Sequence, residues 1–248
     1  MAQDTTIDGL LDRRVALEQP AKGYRVAVDT VLLAAAVPAQ AGDKVLELGS
    51  GVGGAMLCLA SRMPELSIIG VEIDNEILLL AASNIARNTF ATHCKLRHAD
   101  ATRLPHDFPK SFDHVFMNPP YHEASRHDAS PKPKKKKANS DPGDLSRWIA
   151  SAATALKPNA TLTLIHRADR RDEILGLLQP AFGAIEILPT VPKKGDPPHR
   201  IVIRARKSKD GQLVECVNFV LHQADGSYTA EAENILRHMK LLPFEKAR

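Results

Sequence analysis

Aromatic residues are scarce in this sequence. Phe, Trp and Tyr make up 4% of its 248 residues, and Trp148 is the only tryptophan. Each aromatic is therefore worth a look as a specific contact. Cysteine is rarer still. Cys58, Cys94 and Cys216 lie in apolar segments without metal-type spacing, so they read as buried free thiols in a reducing compartment. No apolar stretch approaches the roughly 18 residues that a membrane span requires. The start, "MAQDTTIDGLLDRRVALEQP", has no basic region followed by an apolar one. No signal peptide and no membrane partner are expected, and the cytosol is the default location. His93, His98, His106 and His114 form no ligand pattern, so no metal is expected. No internal repeat is visible.

What is present is ordinary for a soluble globular protein: 44% hydrophobic and 25% charged residues. The formal net charge of +4 suits a polyanionic partner without proving one. The length allows one core with an appendage. Apolar strands and helical stretches alternate along it. A helix is expected over Asp29–Val37, capped by Asp29 or Thr30 and ended by Pro38. Strands are expected at Lys44–Gly49, Leu66–Asp74, Cys94–Asp100, Phe112–Asn118, Ala160–Arg167, Ala184–Pro192 and His199–Lys207. Helices are expected at Gly53–Pro64, Asn75–Thr89, Leu145–Leu156 and Arg171–Phe182. The tail adds one strand, Leu213–Gln223, and one helix, Ala230–Leu242. This rhythm predicts an α/β fold: a mostly parallel, Rossmann-like, seven-stranded sheet with helices on both faces. Residues 1–40 read as an N-terminal extension and residues 41–248 as the main domain. The Pro/Lys/Ser-rich stretch 127–144 breaks the rhythm and is expected to be a mobile loop.

"LELGSGVGG" follows the first buried strand and opens a helix. Gly49, Gly51 and Gly53 allow a tight turn and let a ligand lie against the backbone, while the helix start offers free N–H groups. Gly49, Gly51 and Gly54 also satisfy a dinucleotide fingerprint, and Glu72 suits any ribose-bearing ligand. Glu47, before the first glycine, and Asp100, ending "RHAD", favour a different ligand. Three strand-end carboxylates match an ammonium, a ribose diol and an adenine amino group, whereas Glu47 would repel a pyrophosphate. That set describes S-adenosylmethionine better than a nicotinamide dinucleotide, although Asp100 by itself would read as a solvated turn residue.

"MNPPY" ends the fourth strand of this alternation. Asn118 can accept through its side-chain carbonyl, and Pro119 and Pro120 leave backbone carbonyls without competing N–H donors. An exocyclic amino group could give its two hydrogens to Asn118 and to the Pro119 carbonyl. Such bonds orient the nitrogen lone pair and stabilise the charge that grows on it. Tyr121 offers a face on which a base could stack.

"ELGSGVGG", "GVEID", "HAD" and "MNPPY", in this order, resemble a class I S-adenosylmethionine-dependent methyltransferase of the N-methylating group. "GYRVAVDTVLLAAAV", "PPHRIVIRARK" and "DGSYTAEAENIL" resemble segments of the bacterial family of tRNA (adenine N6)-methyltransferases acting on valine tRNA. The resemblance implies that Glu47, Gly49 and Gly51 contact the methionine part. It implies that Glu72 holds the ribose and that Asp100 lies by the adenine. Asn118, Pro119, Pro120 and Tyr121 would bind the target amine, with Asn118 also beside the cofactor. Tyr24, Arg25 and Asp29 would help to close the pocket. The implied substrate is a tRNA adenine at position 37, just after the anticodon.

Lys132, Lys134, Lys135, Lys136 and Lys137 could pair with RNA phosphates, and Arg126, Lys193, Lys194 and Arg200 could extend that patch. The plainer reading is a solvated charge run. His122, His127 and His199 are read as surface or structural residues, because a methylated amine can shed its proton after attack. Trp148 is read as core. Competing readings are methylation of a protein glutamine, methylation of a guanine amino group in ribosomal RNA, a non-catalytic RNA-binding protein, and a nicotinamide oxidoreductase. The oligomeric state is not legible.

Overall fold

A computed structural model describes residues 4–22, 25–120 and 142–247. The chain opens with a hairpin, β1 (Thr5–Leu10) and β2 (Val15–Pro20), where the sequence suggests no element. Its turn takes three successive left-handed residues, Leu11, Asp12 and Arg13. Helix α1 (Val28–Ala36) follows. Strands β3 (Lys44–Leu48), β4 (Ser67–Glu72), β5 (Cys94–His98) and β6 (Phe112–Met117) then alternate with helices α2 (Gly54–Arg62) and α3 (Asn75–Arg87). The second half runs α4 (Pro142–Ala155), β7 (Leu156–Arg167), a single 3-10 turn (Ala168–Arg170), α5 (Arg171–Leu178), β8 (Gly183–Lys193) and β9 (Arg200–Arg206). It ends with β10 (Leu213–Glu215), β11 (Phe219–His222) and α6 (Ala230–His238).

The seven strands β3 to β9 run in the order β8-β9-β7-β6-β3-β4-β5, with β9 antiparallel to both of its neighbours and the others parallel. β10 and β11 both add to β8, which makes nine strands. The tail expected as one strand is thus two. Cys216 N still bonds Ile187 O at 2.8 Å, but Val217 N turns away to Glu245 O, also at 2.8 Å.

Strand side chains alternate between faces, so neighbours in sequence enter different cores. Val45, Ile68, Phe116 and Val202 join α1, α2 and α6 in one core. Leu46, Val71, Met117 and Ile203 join α4 and α5 in the other. Burial on both faces is why the central strands read as continuous apolar runs.

Helix α1 is not capped by Asp29 or Thr30 as expected. Ala27 occupies the cap position with no side-chain bond, and Asp29 Oδ2 instead accepts from Arg200 Nε at 2.8 Å. At the other end of α1, Arg62 Nη2 donates to Val37 O and Arg204 Nε to Ala36 O, each at 2.6 Å. Burial, together with the repulsion of Arg204 in the case of Arg62, pushes both guanidinium groups down to about 10.

Candidate active site at the carboxyl edge of the sheet

The ladder sets the site. Leu48 of β3 pairs with Val71 of β4 on one side and with Met117 of β6 on the other. The next residues, Gly49, Glu72 and Asn118, therefore stand side by side at the carboxyl edge of the sheet. Glu72 pairs with His98 of β5, and Asp100 lies two residues beyond it. In parallel sheets the crevice outside such strand ends is where ligands sit.

Gly49, Gly51 and Gly53 all have positive φ, at 68°, 54° and 86°, which is the backbone reason for glycine at each. Among the described residues nothing lies within 4 Å of where a Cβ on Gly51 would sit, so the loop is open there. A Cβ on Gly49 would instead strike the indole of Trp148, 2.5 Å from Cη2. The turn is held by Gly53 N bonding Ser50 O at 2.9 Å and by Gly51 N bonding Glu72 Oε2 at 3.0 Å. The Ser50 hydroxyl is buried without a hydrogen-bond partner among the described residues.

Glu47 lies beneath this loop, 4% exposed. Its Oε2 accepts from Met56 N at 3.1 Å. Burial pushes its carboxyl well above the ordinary range. The Met56 amide partly offsets that, and the charge of Glu72 adds to it. Among the described residues the groups that shift it are thus an amide and a second acid. A cation would complete this site, since a buried carboxylate is stabilised by pairing.

Glu72 Oε1 accepts from Ile73 N at 2.8 Å and Asp74 N at 2.9 Å. With Gly51 N on Oε2, three amides fix the carboxylate while an acceptor position on Oε2 stays available to a hydroxyl donor. Ile73, directly after it, is 61% exposed and presents an apolar face. His98 Nε2 lies 2.8 Å from Ile73 O. Asp100 Oδ1 takes both Thr102 N and Thr102 Oγ1, at 2.8 and 2.7 Å. Of the proline corner, Asn118 is half-buried, Pro119 buried and Pro120 exposed.

The other described candidate residues have contacts of their own. Arg25 pairs with Asp8 and donates to Thr6 Oγ1 and Pro20 O, so it braces the hairpin. Asp29 and Arg200, expected at the cofactor and at RNA, pair with each other. Lys193 Nζ bonds Ala224 O at 2.9 Å, and Lys194 is exposed in the β8–β9 turn. Tyr24, Tyr121, His122, Arg126, His127, Lys132, Lys134, Lys135, Lys136 and Lys137 lie outside the described residues, as does most of the stretch 127–144.

Sequence reasoning missed Asn84 on α3 and Asn88, the C-cap of that helix one turn later, both buried. Asn88 exchanges bonds with Ala16 N and O, at 3.0 and 2.9 Å, and Asn84 with Glu18 N and O, at 2.7 and 2.8 Å. The two amides act as an extra strand for β2. Nothing in the local sequence signals this, because the partners are far apart along the chain.

Among the described residues no group of three or more His, Cys, Asp or Glu could hold a metal, and no helix is long and apolar enough to cross a membrane.

Comparison with known proteins gives the family of the chain. A tRNA1(Val) (adenine(37)-N6)-methyltransferase of Bacteroides thetaiotaomicron is 26% identical over 221 residues, covering 87% of this chain and 92% of that protein. One of the same name from Haemophilus influenzae is 25% identical, covering 90% and 94%. Among solved structures, a chain described as a predicted O-methyltransferase from Agrobacterium tumefaciens superposes with a TM-score of 0.73 at 22% identity, covering 86% and 98%. That likeness is one of fold. Residues 24–193 match the family described as the methyltransferase small domain, and the chain belongs to that family.

Proposed function

We propose that this protein is a tRNA methyltransferase that transfers a methyl group to N6 of an adenine, adenine-37 of valine tRNA. The observation that carries the chemistry is the pairing of Leu48 with Val71 and Met117, which makes the glycine loop, Glu72 and Asn118 neighbours. The substrate follows from the names of the full-length relatives. Residues 41–248 form the methyltransferase domain in this reading, and residues 1–40 an extension that helps to close the cofactor crevice.

The cofactor is S-adenosylmethionine, which when bound supplies a methyl group activated by a sulfonium. The residues fit it. Glu47, buried and without a cationic neighbour among the described residues that shift it, would pair with the ammonium. Gly51, open where a Cβ would stand, lets the methionine part approach the loop, and Gly49 contributes its backbone. Glu72 accepts from the ribose, Ile73 supplies an apolar face for the adenine, and Asp100 accepts from its amino group.

Asn118, through its side-chain carbonyl, and Pro119, through its backbone carbonyl, take the two hydrogens of the target amine. They hold its lone pair toward the donor and stabilise positive charge as the new bond forms. Tyr121 stacks on the base. The nitrogen loses its proton afterwards, so no dedicated base is assigned, and His122, His127 and His199 stay outside the chemistry. Lys132, Lys134, Lys135, Lys136, Lys137, Arg126, Lys193 and Lys194 neutralise phosphates. Arg200 contributes less, because its guanidinium already pairs with Asp29.

The test uses purified protein, bulk tRNA and methyl-labelled S-adenosylmethionine, followed by nuclease digestion and mass spectrometry. N6-methyladenosine is expected, and valine tRNA with guanine at position 37 should stay unlabelled. Label in protein glutamine or in an rRNA guanine would replace this substrate with the corresponding competitor. Cofactor and RNA binding without transfer to any acceptor would leave a non-catalytic RNA-binding protein.

A further inference from the structure

We propose that Trp148 is a positioning residue of this reaction: its indole is the wall against which the glycine loop is set, holding that loop in register with the Asn118 corner. The inference rests on the methyltransferase reading above and deepens it.

Three observations converge on this side chain. First, the ring fills the space where Gly49 would carry a Cβ, with Cη2 at 2.5 Å and Cζ3 at 3.0 Å from that point. Ring and loop backbone are thus in direct van der Waals contact, and any side chain at position 49 would displace one or the other. Gly49 also has φ 68°, so glycine is required there twice over. Second, Gly49 stands beside Asn118, because Leu48 and Met117 are ladder partners. The indole therefore touches the cofactor loop at the point where loop and corner are nearest in the sheet. Third, Trp148 rides on α4, which packs over β6 and β7, so one helix buttresses both the strand that carries the corner and the loop next to it.

The exposure pattern along α4 separates Trp148 from a plain core residue. Leu145, Ile149 and Ala152 are buried to 6% or less, whereas Trp148 is half-buried at the margin of that stripe. It packs against the second core on one side and against the loop on the other. A large rigid ring with two torsions suits such a strut, since little freedom is lost in holding it. Catalysis by alignment is sensitive to displacements of about 1 Å, which can cost on the order of a hundredfold in rate. Removing the strut leaves a cavity directly under Gly49, where such a shift is easily accommodated.

Because Trp148 is the only tryptophan, the tryptophan emission reports on the surroundings of this one side chain, the Gly49 contact among them. Titrating the full-length protein with S-adenosylmethionine, and separately with S-adenosylhomocysteine, should change the emission saturably, over the concentration range in which calorimetry records binding. Trp148→Ala should lower kcat by about tenfold or more with a much smaller change in KM for tRNA, and Trp148→Phe should recover most of kcat. Calorimetric binding with unchanged emission would overturn the inference while leaving the methyltransferase reading intact. So would a folded Trp148→Ala variant with full kcat. If Trp148→Ala does not fold, the emission of the unaltered protein and the kcat of Trp148→Phe decide. Absence of calorimetric binding would overturn the methyltransferase reading, and this inference with it.

Discussion

Asn84 donates from Nδ2 to the carbonyl of Val52 at 3.0 Å, joining the third helix to the middle of the glycine loop. The same nitrogen donates to Glu18 O at 2.8 Å, and the side-chain oxygen accepts from Glu18 N at 2.7 Å. One buried amide thus ties the N-terminal hairpin, α3 and the loop together. Asn84→Ala would strand three backbone groups. A loss of at least about 2 kcal/mol is expected, since each buried unsatisfied group costs roughly 1–3 kcal/mol. Urea unfolding reads the stability, and calorimetry should show weaker cofactor binding in the same variant. Unchanged cofactor affinity would mean that the loop holds its shape without this tie.

Asn118→Ala removes one of the two acceptors assigned to the target amine. Turnover should fall by at least about a hundredfold, as is typical for the loss of one preorganised polar contact to developing charge. Cofactor affinity should stay within a small factor. The comparison needs single-turnover rates beside a binding titration, and an active variant would remove Asn118 from the chemistry.

Glu47 links stability to pH. Its folded-state value lies above the ordinary 4.5, so the fold prefers the neutral carboxyl. The stability this contributes is fully present below the ordinary value and is lost as pH rises through the folded-state value. Glu47→Gln stays neutral throughout. At about pH 8 its melting temperature should equal or exceed that of the unaltered protein, while cofactor affinity drops at least about tenfold for want of the counter-charge. Melting curves with and without cofactor, from about pH 5 to about pH 9, check both halves. A variant that binds the cofactor normally would sink the ammonium assignment.

Replacing Lys132, Lys134, Lys135, Lys136 and Lys137 by Gln should weaken tRNA binding and flatten its salt dependence. Each lost phosphate contact lowers the logarithmic slope by roughly 0.7 to 0.9. A slope identical to that of the unaltered protein would dismiss the run as a bystander. Lys194→Gln, in the β8–β9 turn, is the smaller companion test and should remove at most about one unit.

Much of the fold was legible because its signals are local. The central strands are buried on both faces and so read as unbroken apolar runs, and Gly49, Gly51 and Gly53 mark positions where φ must be positive. The hairpin was not legible. Thr5, Thr6 and Ile7 are exposed, and β2 owes its second edge to Asn84 and Asn88 on a distant helix. The cap of α1 is not Asp29 because the helix begins at Val28 with Ala27 in the cap position, and the Asp29 carboxylate pairs with Arg200. The tail strand divides at Val217, whose N–H donates to Glu245 O, a partner far along the chain from β8.

By itself the sequence determined the central strands and the helices between them, where the backbone must turn at glycine, and which acids and amides would stand at strand ends. Those properties depend on near neighbours and on the period of apolar residues. Only the tertiary structure decided that Leu48 pairs with both Val71 and Met117, that Asn84 reaches Val52, and that Trp148 lies on Gly49. Such contacts join residues distant in sequence, and they are selected by the burial of both sheet faces at once, which no single segment can specify.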